Sequence, residues 1–377
     1  MSDSNPSDPE QEGDSLHAAK EALASKFGRT LDPLAEYEPI FREEDPDLFG
    51  MFMTEIVEPN DPAPSTTSQY GQMWEQWCEV MGRDDRHPAC PNEQHALAYI
   101  QYLQDERENE PGTIRAKLQK MGRIYEHWQD EAALPHPDDF DPISSARKKV
   151  SLSDPQKKSP PNIPLERLRE VVGGIHHIRD QAVVVMQLKL GLRATELCNI
   201  KLTEISLVDE KIRAFYPELG TSEYLEGREN AIYIPHDRMG NKSKRPRVLP
   251  LDEELRQVLR RYLLIRPASN RPWLFLSKQR HARLGDSAIN DVWHGHFRPE
   301  YDETPQHRAV TSHFGRHYFT TWWRVKQNLN RELVKYMRGD KQGMESGVGR
   351  EGMDHYLHAY YEDIESIYLN RVFKLNL

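Results

Sequence analysis

The chain has 377 residues, with 60 Asp/Glu against 50 Lys/Arg and a formal net charge of −10. That length makes a single domain improbable, and that charge, taken whole, speaks against a nucleic-acid partner. No apolar run approaches the ~18 residues of a membrane span, the acidic start "MSDSNPSDPEQEGDS" is unlike a signal or transit peptide, and three scattered cysteines cannot form a disulfide framework; a cytoplasmic protein is expected.

The charge is unevenly spread. Residues 1–63 hold 16 Asp/Glu against 4 Lys/Arg, and the remainder is close to neutral with basic clusters on it. Local positive potential matters more for DNA binding than total charge. The first segment reads as an acidic, partly disordered extension in which "LHAAKEALASKF" and "PIFREEDPDLFGMFMTEIV" are at most short helices.

From residue 64 the pattern sharpens. "STTSQYGQMWEQWCEVMG" places Tyr70, Met73, Trp74, Trp77 and Met81 on one helical stripe. "NEQHALAYIQYLQDE" and "GTIRAKLQKMGRIYEHW" repeat the logic, so 64–135 is predicted to be a small helical domain. The last of these helices carries Arg115, Lys117, Lys120 and Arg123 on its polar side, either as an ordinary solvated face or as contacts to DNA phosphates. Cys78, His87, Cys90 and His95 match no standard zinc spacing. Residues 136–164, rich in proline, serine and paired lysines, read as a basic linker.

A second domain is predicted over 165–377. "RDQAVVVMQLKLGLRATELCNIKLTEISL" gives a strongly apolar helix, a glycine turn and a short helix. "IRAFY", "AIYIPHD" and "PRVLPL" read as short strands, and 252–264, 285–296, 312–327 and 330–337 as helices. The fold class is therefore mainly α with a small antiparallel sheet.

Four segments of this domain carry chemistry. "GLRATEL" puts Arg193 at a turn into a helix. "GNKSKRPRVLPL" puts Lys242 in a loop before a strand, with Lys244, Arg245 and Arg247 beside it. "HFGRH" puts His313 and Arg316 on adjacent turns of one helix face, where an oxyanion is welcome. "DHYLHAYYEDIE" offers Tyr356, Tyr360 and Tyr361. Together they suit attack by a tyrosine hydroxyl on a phosphodiester. A phenol of pKa about 10 is ionised only about once in a thousand at neutral pH, so it needs cations or a base nearby. Two arginines can fork onto the non-bridging oxygens, a lysine can protonate the leaving alkoxide, and a histidine can hold the phosphate or carry the tyrosine proton. Lys244, Arg245 and Arg247 would bind backbone phosphates.

These segments, in this order, resemble the boxes of the tyrosine recombinase (phage integrase) family, with the archaeal type expected within it. The resemblance spans about residues 65–377. "RDQAVVVMQLKLGLRATEL" resembles the first arginine box, with Arg193 on the catalytic arginine and Glu196 on the glutamate that follows it. "KSKRPRVLPL" resembles the strand segment carrying the catalytic lysine and places Lys242 there, with Lys244 as the alternative. "HFGRHYFTT" resembles the H-x-x-R box at His313 and Arg316. "HYLHAYYEDI" resembles the nucleophile box, with Tyr356 as nucleophile and Tyr360 or Tyr361 as alternatives. One departure is plain: where the family has "LGH", this chain has "MRGD", so Asp340 or Lys341 occupies the last slot and an acid there would repel a phosphate; His355 is a possible substitute.

The resemblance implies a helical (SAM-like) core-binding domain at 64–135 and a DNA breaking-rejoining catalytic domain at 165–377. It implies site-specific recombination through a 3′-phosphotyrosyl intermediate and a Holliday junction, by a homotetramer on duplex DNA, with no metal, ATP or other cofactor. The C-terminal "IYLNRVFKLNL" is expected to pack on a neighbouring protomer. The alternatives are a relaxing enzyme of the type IB topoisomerase kind and a DNA-binding protein of the same fold that has lost catalysis.

Overall fold

The structure is a computed structural model describing residues 19–152, 158–341 and 360–377. The chain divides into two compact units, Met1–Lys157 and Lys158–Leu377.

The first unit is helical throughout its described residues: α1 Glu38–Glu44, α2 Leu48–Phe52, α3 Pro64–Arg83, α4 Glu93–Asp105, α5 Pro111–Asp130 and α6 Pro142–Lys149. Prolines at the first helical position start α3, α5 and α6, where a missing N–H costs nothing. A reciprocal cap starts α4: Asn92 accepts from the His95 N–H at 3.2 Å while His95 Nδ1 accepts from the Asn92 N–H at 3.1 Å. The stripes of Tyr70, Met73, Trp77 and Met81, and of Ile114, Leu118, Met121, Tyr125 and Trp128, close on one core.

Two sequence expectations are corrected here. The acidic extension is not separate from the helical domain, because Leu34, Phe41, Leu48, Phe52 and Val57 are buried in the same core. Its acids contribute as well: Asp32 pairs with Arg86 at 2.7 Å, and Glu38 pairs with Arg86 at 3.2 Å. The expected linker also contains α6, capped by Asp141 onto the Ser144 N–H at 2.8 Å, with Ile143 and Ala146 buried.

The second unit is built around α8 (Ile178–Leu190), preceded by α7 (Leu165–Gly173). Every residue from Ala182 to Leu190 is buried, as befits a helix apolar all round. It packs against α11 (Glu253–Ile265), α12 (Asp286–Tyr301) and α13 (His313–Thr321). Between α8 and α11 come α9 (Ala194–Cys198), α10 (Glu210–Phe215) and a hairpin of β1 (Ala231–Ile234) and β2 (Arg247–Pro250). The strands pair antiparallel from Ala231 opposite Pro250 to Ile234 opposite Arg247. "IRAFY", read as a strand, is helical: Asp209 accepts from the Ile212 N–H at 3.0 Å and starts α10. After α13 the chain forms a π turn, then α14 (Arg331–Arg338) and α15 (Tyr361–Arg371).

Gly191 ends α8 with φ +63°, and a Cβ there would lie 2.6 Å from the Phe319 ring. Both the backbone sign and the close approach require glycine. Gly191→Ala is expected to lose about 2 kcal/mol, read as a lower urea midpoint at unchanged m; an unshifted midpoint would remove this account of the turn.

The C-terminal segment packs on its own unit. Val372, Phe373 and Leu375 are buried. The fully buried Lys189 donates to the Phe373 carbonyl at 3.1 Å and to Asp252 at 2.7 Å, and also pairs with Glu254 at 2.7 Å. The Leu377 N–H reaches Glu254 at 3.0 Å.

Candidate active site

Arg193 stands at the N-cap of α9, directly after the Gly191 turn. Its Nη1 donates to Glu196 Oε1 at 2.9 Å, and its backbone N–H donates to Glu196 Oε2 at 3.0 Å. Glu196 is 1% exposed. Its Oε2 also accepts from Arg247 Nη2 at 2.9 Å and lies 4.0 Å from Arg316 Nη1, while Ser243 Oγ donates to Oε1. Burial alone would raise the Glu196 pKa, but Arg247 and Arg316 together with the hydrogen bonds hold it down at about 2.

Arg316 extends from α13 and is 2% exposed. Its Nη1 donates to the Gly191 carbonyl at 2.8 Å. Its Nη2 donates to the Arg338 carbonyl at 3.0 Å and to Asp340 Oδ1 at 2.8 Å. Burial pulls its pKa down to about 9, which leaves it cationic at neutral pH. Asp340 Oδ1 also lies 3.5 Å from Arg193 Nη2, and Asp340 Oδ2 lies 3.0 Å from Arg338 Nε. Two arginines 123 positions apart in sequence therefore meet at a single carboxylate oxygen.

That carboxylate sits on the wall of a cavity of about 600 Å³, also lined by Arg193, Lys242, Lys244 and Arg338. Among the described residues, eight of its eleven lining residues are Lys or Arg, and Asp340 is the one acid among them. Lys242 projects from the hairpin loop and is exposed. The loop is tied to the end of α14 by the Lys244 N–H, which donates to the Gly339 carbonyl at 2.8 Å.

His313, one turn before Arg316, is exposed and packs against the His317 ring at 4.8 Å between centroids. Its pKa is lowered, first by partial burial and then by the cations His317, Arg316 and Arg193. Tyr356, with His355, lies outside the described residues. Of the alternative tyrosines, Tyr361 is buried, donates to Glu365 Oε1 at 2.7 Å, and has its pKa raised by burial, which makes it a packing residue. Tyr360 is 58% exposed at the start of α15.

The basic residues assigned to DNA divide on inspection. Arg247 does not face DNA: it is 2% exposed and spent on Glu196 and Ser243. All four residues of β2 are buried, and within that core Arg247 neutralises Glu196. Arg245 is half-buried over the Tyr336 ring at 5.0 Å, whereas Lys244 is exposed. In the first unit, Arg115 donates to the Leu152 carbonyl. Lys117 donates to Gln76 at 2.8 Å and to Asn109 at 2.6 Å, and Lys120 to Gln69 at 3.2 Å. Sequence reasoning missed Arg338. The available signal was the basic spacing Arg331, Lys335, Arg338, which marks one face of a helix.

Residues 165–339 match the model of the phage integrase family. The tyrosine recombinase XerA of Pyrococcus horikoshii is 24% identical over 154 residues, covering 41% of this chain and 45% of that relative, so the match spans under half of the relative's length. In fold the chain is similar to the integrase of the Tn1549 transposon, solved with transposon right end DNA, at TM-score 0.56 and 16% identity over 84% of this chain and 96% of that one. It is also similar to lambda integrase, solved as a tetramer bound to a Holliday junction, at TM-score 0.52 and 10% identity over 82% of this chain and 83% of that one.

Proposed function

We propose that this chain, whose residues 165–339 match the phage integrase family, is a site-specific DNA recombinase that cleaves and rejoins duplex DNA through a 3′-phosphotyrosine. The observation that carries this reading is the convergence of Arg193 and Arg316 on one anion position at the wall of a strongly basic cavity that Lys242 shares. In the reaction, the Tyr356 hydroxyl oxygen bonds to the scissile phosphorus as the bond from phosphorus to the 5′-oxygen breaks. His313 takes the phenolic proton, and Lys242 gives a proton to the departing 5′-oxygen. Arg193 and Arg316 bind the non-bridging oxygens, where charge accumulates. The 5′-hydroxyl of a partner strand then attacks the phosphotyrosine and reverses both proton transfers. The phosphodiester energy stays in the covalent link, so the chemistry calls for neither ATP nor a metal. Exchange of two strands gives a Holliday junction, and a tetramer on two paired sites completes it.

The test uses a nicked duplex cut from DNA flanking the gene, so that the released strand diffuses away and the covalent complex accumulates. An adduct that survives SDS and maps by proteolysis and mass spectrometry to Tyr356 is expected. Mapping to Tyr360 would relocate the nucleophile. Specific binding with no adduct would support the catalytically silent alternative.

The lowered pKa of His313 fixes a sign. Its neutral form, the proton acceptor, persists below the ordinary histidine value of about 6.5, so adduct formation should hold through that value and fall only at more acid pH. Single-turnover rates from about pH 5 to about pH 8 check this. His313→Gln should be slow and should lack this acid limb; an identical limb in the variant would assign it to another group.

A further inference from the structure

Arg338 is the cation that the family pattern does not provide for. It ends α14, lines the same cavity as Arg193 and Lys242, and its side chain is 30% exposed. Its Nε lies 3.0 Å from Asp340 Oδ2, on the carboxylate oxygen opposite the one that Arg316 and Arg193 share. Its own carbonyl accepts from Arg316 Nη2 at 3.0 Å, which fixes the end of α14 to the catalytic arginine. Gly339 follows with φ +67° and turns the chain so that Asp340 reaches back over the cluster.

Three guanidiniums therefore surround one anion with two oxygens: Arg316 and Arg193 hydrogen-bond Asp340 Oδ1, and Arg338 forms an ion pair with Oδ2 while its buried Nε has no hydrogen-bond partner. A phosphodiester also presents two non-bridging oxygens, at a spacing similar to that of a carboxylate, and arginine forks suit both. Asp340 is a quarter exposed, so solvent and a ligand reach it from the cavity. Taking on a phosphate does not require Asp340 to be lost from the protein, because among the described residues the lining carries eight cations against this single acid. Asp340, with Lys341 as the alternative, stands in the slot where the resemblance expects histidine; its carboxylate cannot donate to a phosphate, and a guanidinium two positions earlier can.

Resting on the recombinase reading above, we infer that Arg338 is a third scissile-phosphate ligand, and that Asp340 is the internal anion that holds the three guanidiniums together until the phosphate displaces it. Arg338 thus takes over the phosphate contact that the histidine of the "LGH" box would make, and Asp340 sets the geometry in its absence.

The experiment measures single-turnover adduct formation by the full chain on the nicked duplex. The scissile group is either the natural phosphate or a methylphosphonate, in which a methyl replaces one non-bridging oxygen and removes the charge. Arg338→Ala is expected to slow the natural substrate by ten- to a hundredfold, in the range of a lost oxyanion ligand, and to slow the methylphosphonate by no more than a few fold. Arg338→Lys should recover part of the rate. An Arg338→Ala rate equal to wild type, or an equal penalty on both substrates, overturns the inference; the second result is what a purely structural role or a folding defect would give. A wild type that forms no adduct overturns the recombinase reading and this inference with it, whereas a reactive wild type with an indifferent Arg338→Ala overturns this inference alone.

Discussion

Arg316→Lys should reduce adduct formation on the nicked duplex by about a thousandfold while leaving the chain folded. The loss follows from geometry rather than charge, since lysine keeps the cation. Arg316 uses one Nη to hold the Gly191 carbonyl at 2.8 Å and the other to reach Asp340 at 2.8 Å. A guanidinium is a rigid fork that meets both demands at once, and an ammonium is a single point that meets one. The lysine will favour the fixed carbonyls and leave the anion position without its strongest donor. Losing one preorganised donor costs about 10²–10³ in rate; here the donor also fixes the end of α14 through the Arg338 carbonyl, so the upper end is expected. The check is a time course of SDS-stable adduct beside a thermal melt. A variant within tenfold of wild type would mean that Arg316 is structural and that the phosphate lies elsewhere.

The site residues that sequence reveals are those whose local pattern is itself functional. Arg193 follows a glycine turn into a helix, and His313 and Arg316 stand three apart, so a linear reading places both at helix starts, where the structure has them. Lys242 is legible for a similar reason, as a cation in the loop between two short apolar segments. Arg247 shows the limit. In sequence it is one more basic residue beside Lys244 and Arg245, but β2 turns it into the core, where its partner Glu196 is 51 positions away. The relation of Asp340 to Arg193, 147 positions apart, is likewise set by the packing of α14 and not by any periodicity. The short helix α10 is misread for a different reason. It has six residues, fewer than two helical turns, so no stripe can form. Its stability comes from the core it buries against rather than from propensity, and the β-branched and aromatic residues of "IRAFY" point to strand.

The largest stability effect belongs to Glu196→Gln, which is expected to lower the unfolding free energy by about 3–5 kcal/mol at neutral pH. Glu196 and Arg247 are both fully buried as side chains, and the pair is 2.9 Å apart. With glutamine, Arg247 loses its buried counter-charge and keeps at best neutral acceptors, Ser243 Oγ at 3.2 Å among them, and Arg316 loses its nearest interior anion. The amide also turns one acceptor into a donor facing donors from Arg247 or from the Arg193 N–H. The pH dependence gives an independent handle on the same quantity. The Glu196 pKa falls from an ordinary 4.5 to about 2 in the fold. A depressed carboxylate stabilises fully above its unfolded pKa and loses that contribution as pH falls toward its folded value. The shift corresponds to about 3 kcal/mol, in line with the cost of breaking the pair. Wild type should therefore lose stability between about pH 5 and about pH 2, and Glu196→Gln should show a shallower slope from a lower plateau. Adding Arg247→Met should restore part of the loss, because a buried pair replaced together leaves no stranded charge. Urea titrations of the two single variants and the double variant measure this directly. A double variant no more stable than the sum of its parts would show that Glu196 serves Arg193 and Arg316 alone, and that Arg247 is held by something other than this carboxylate.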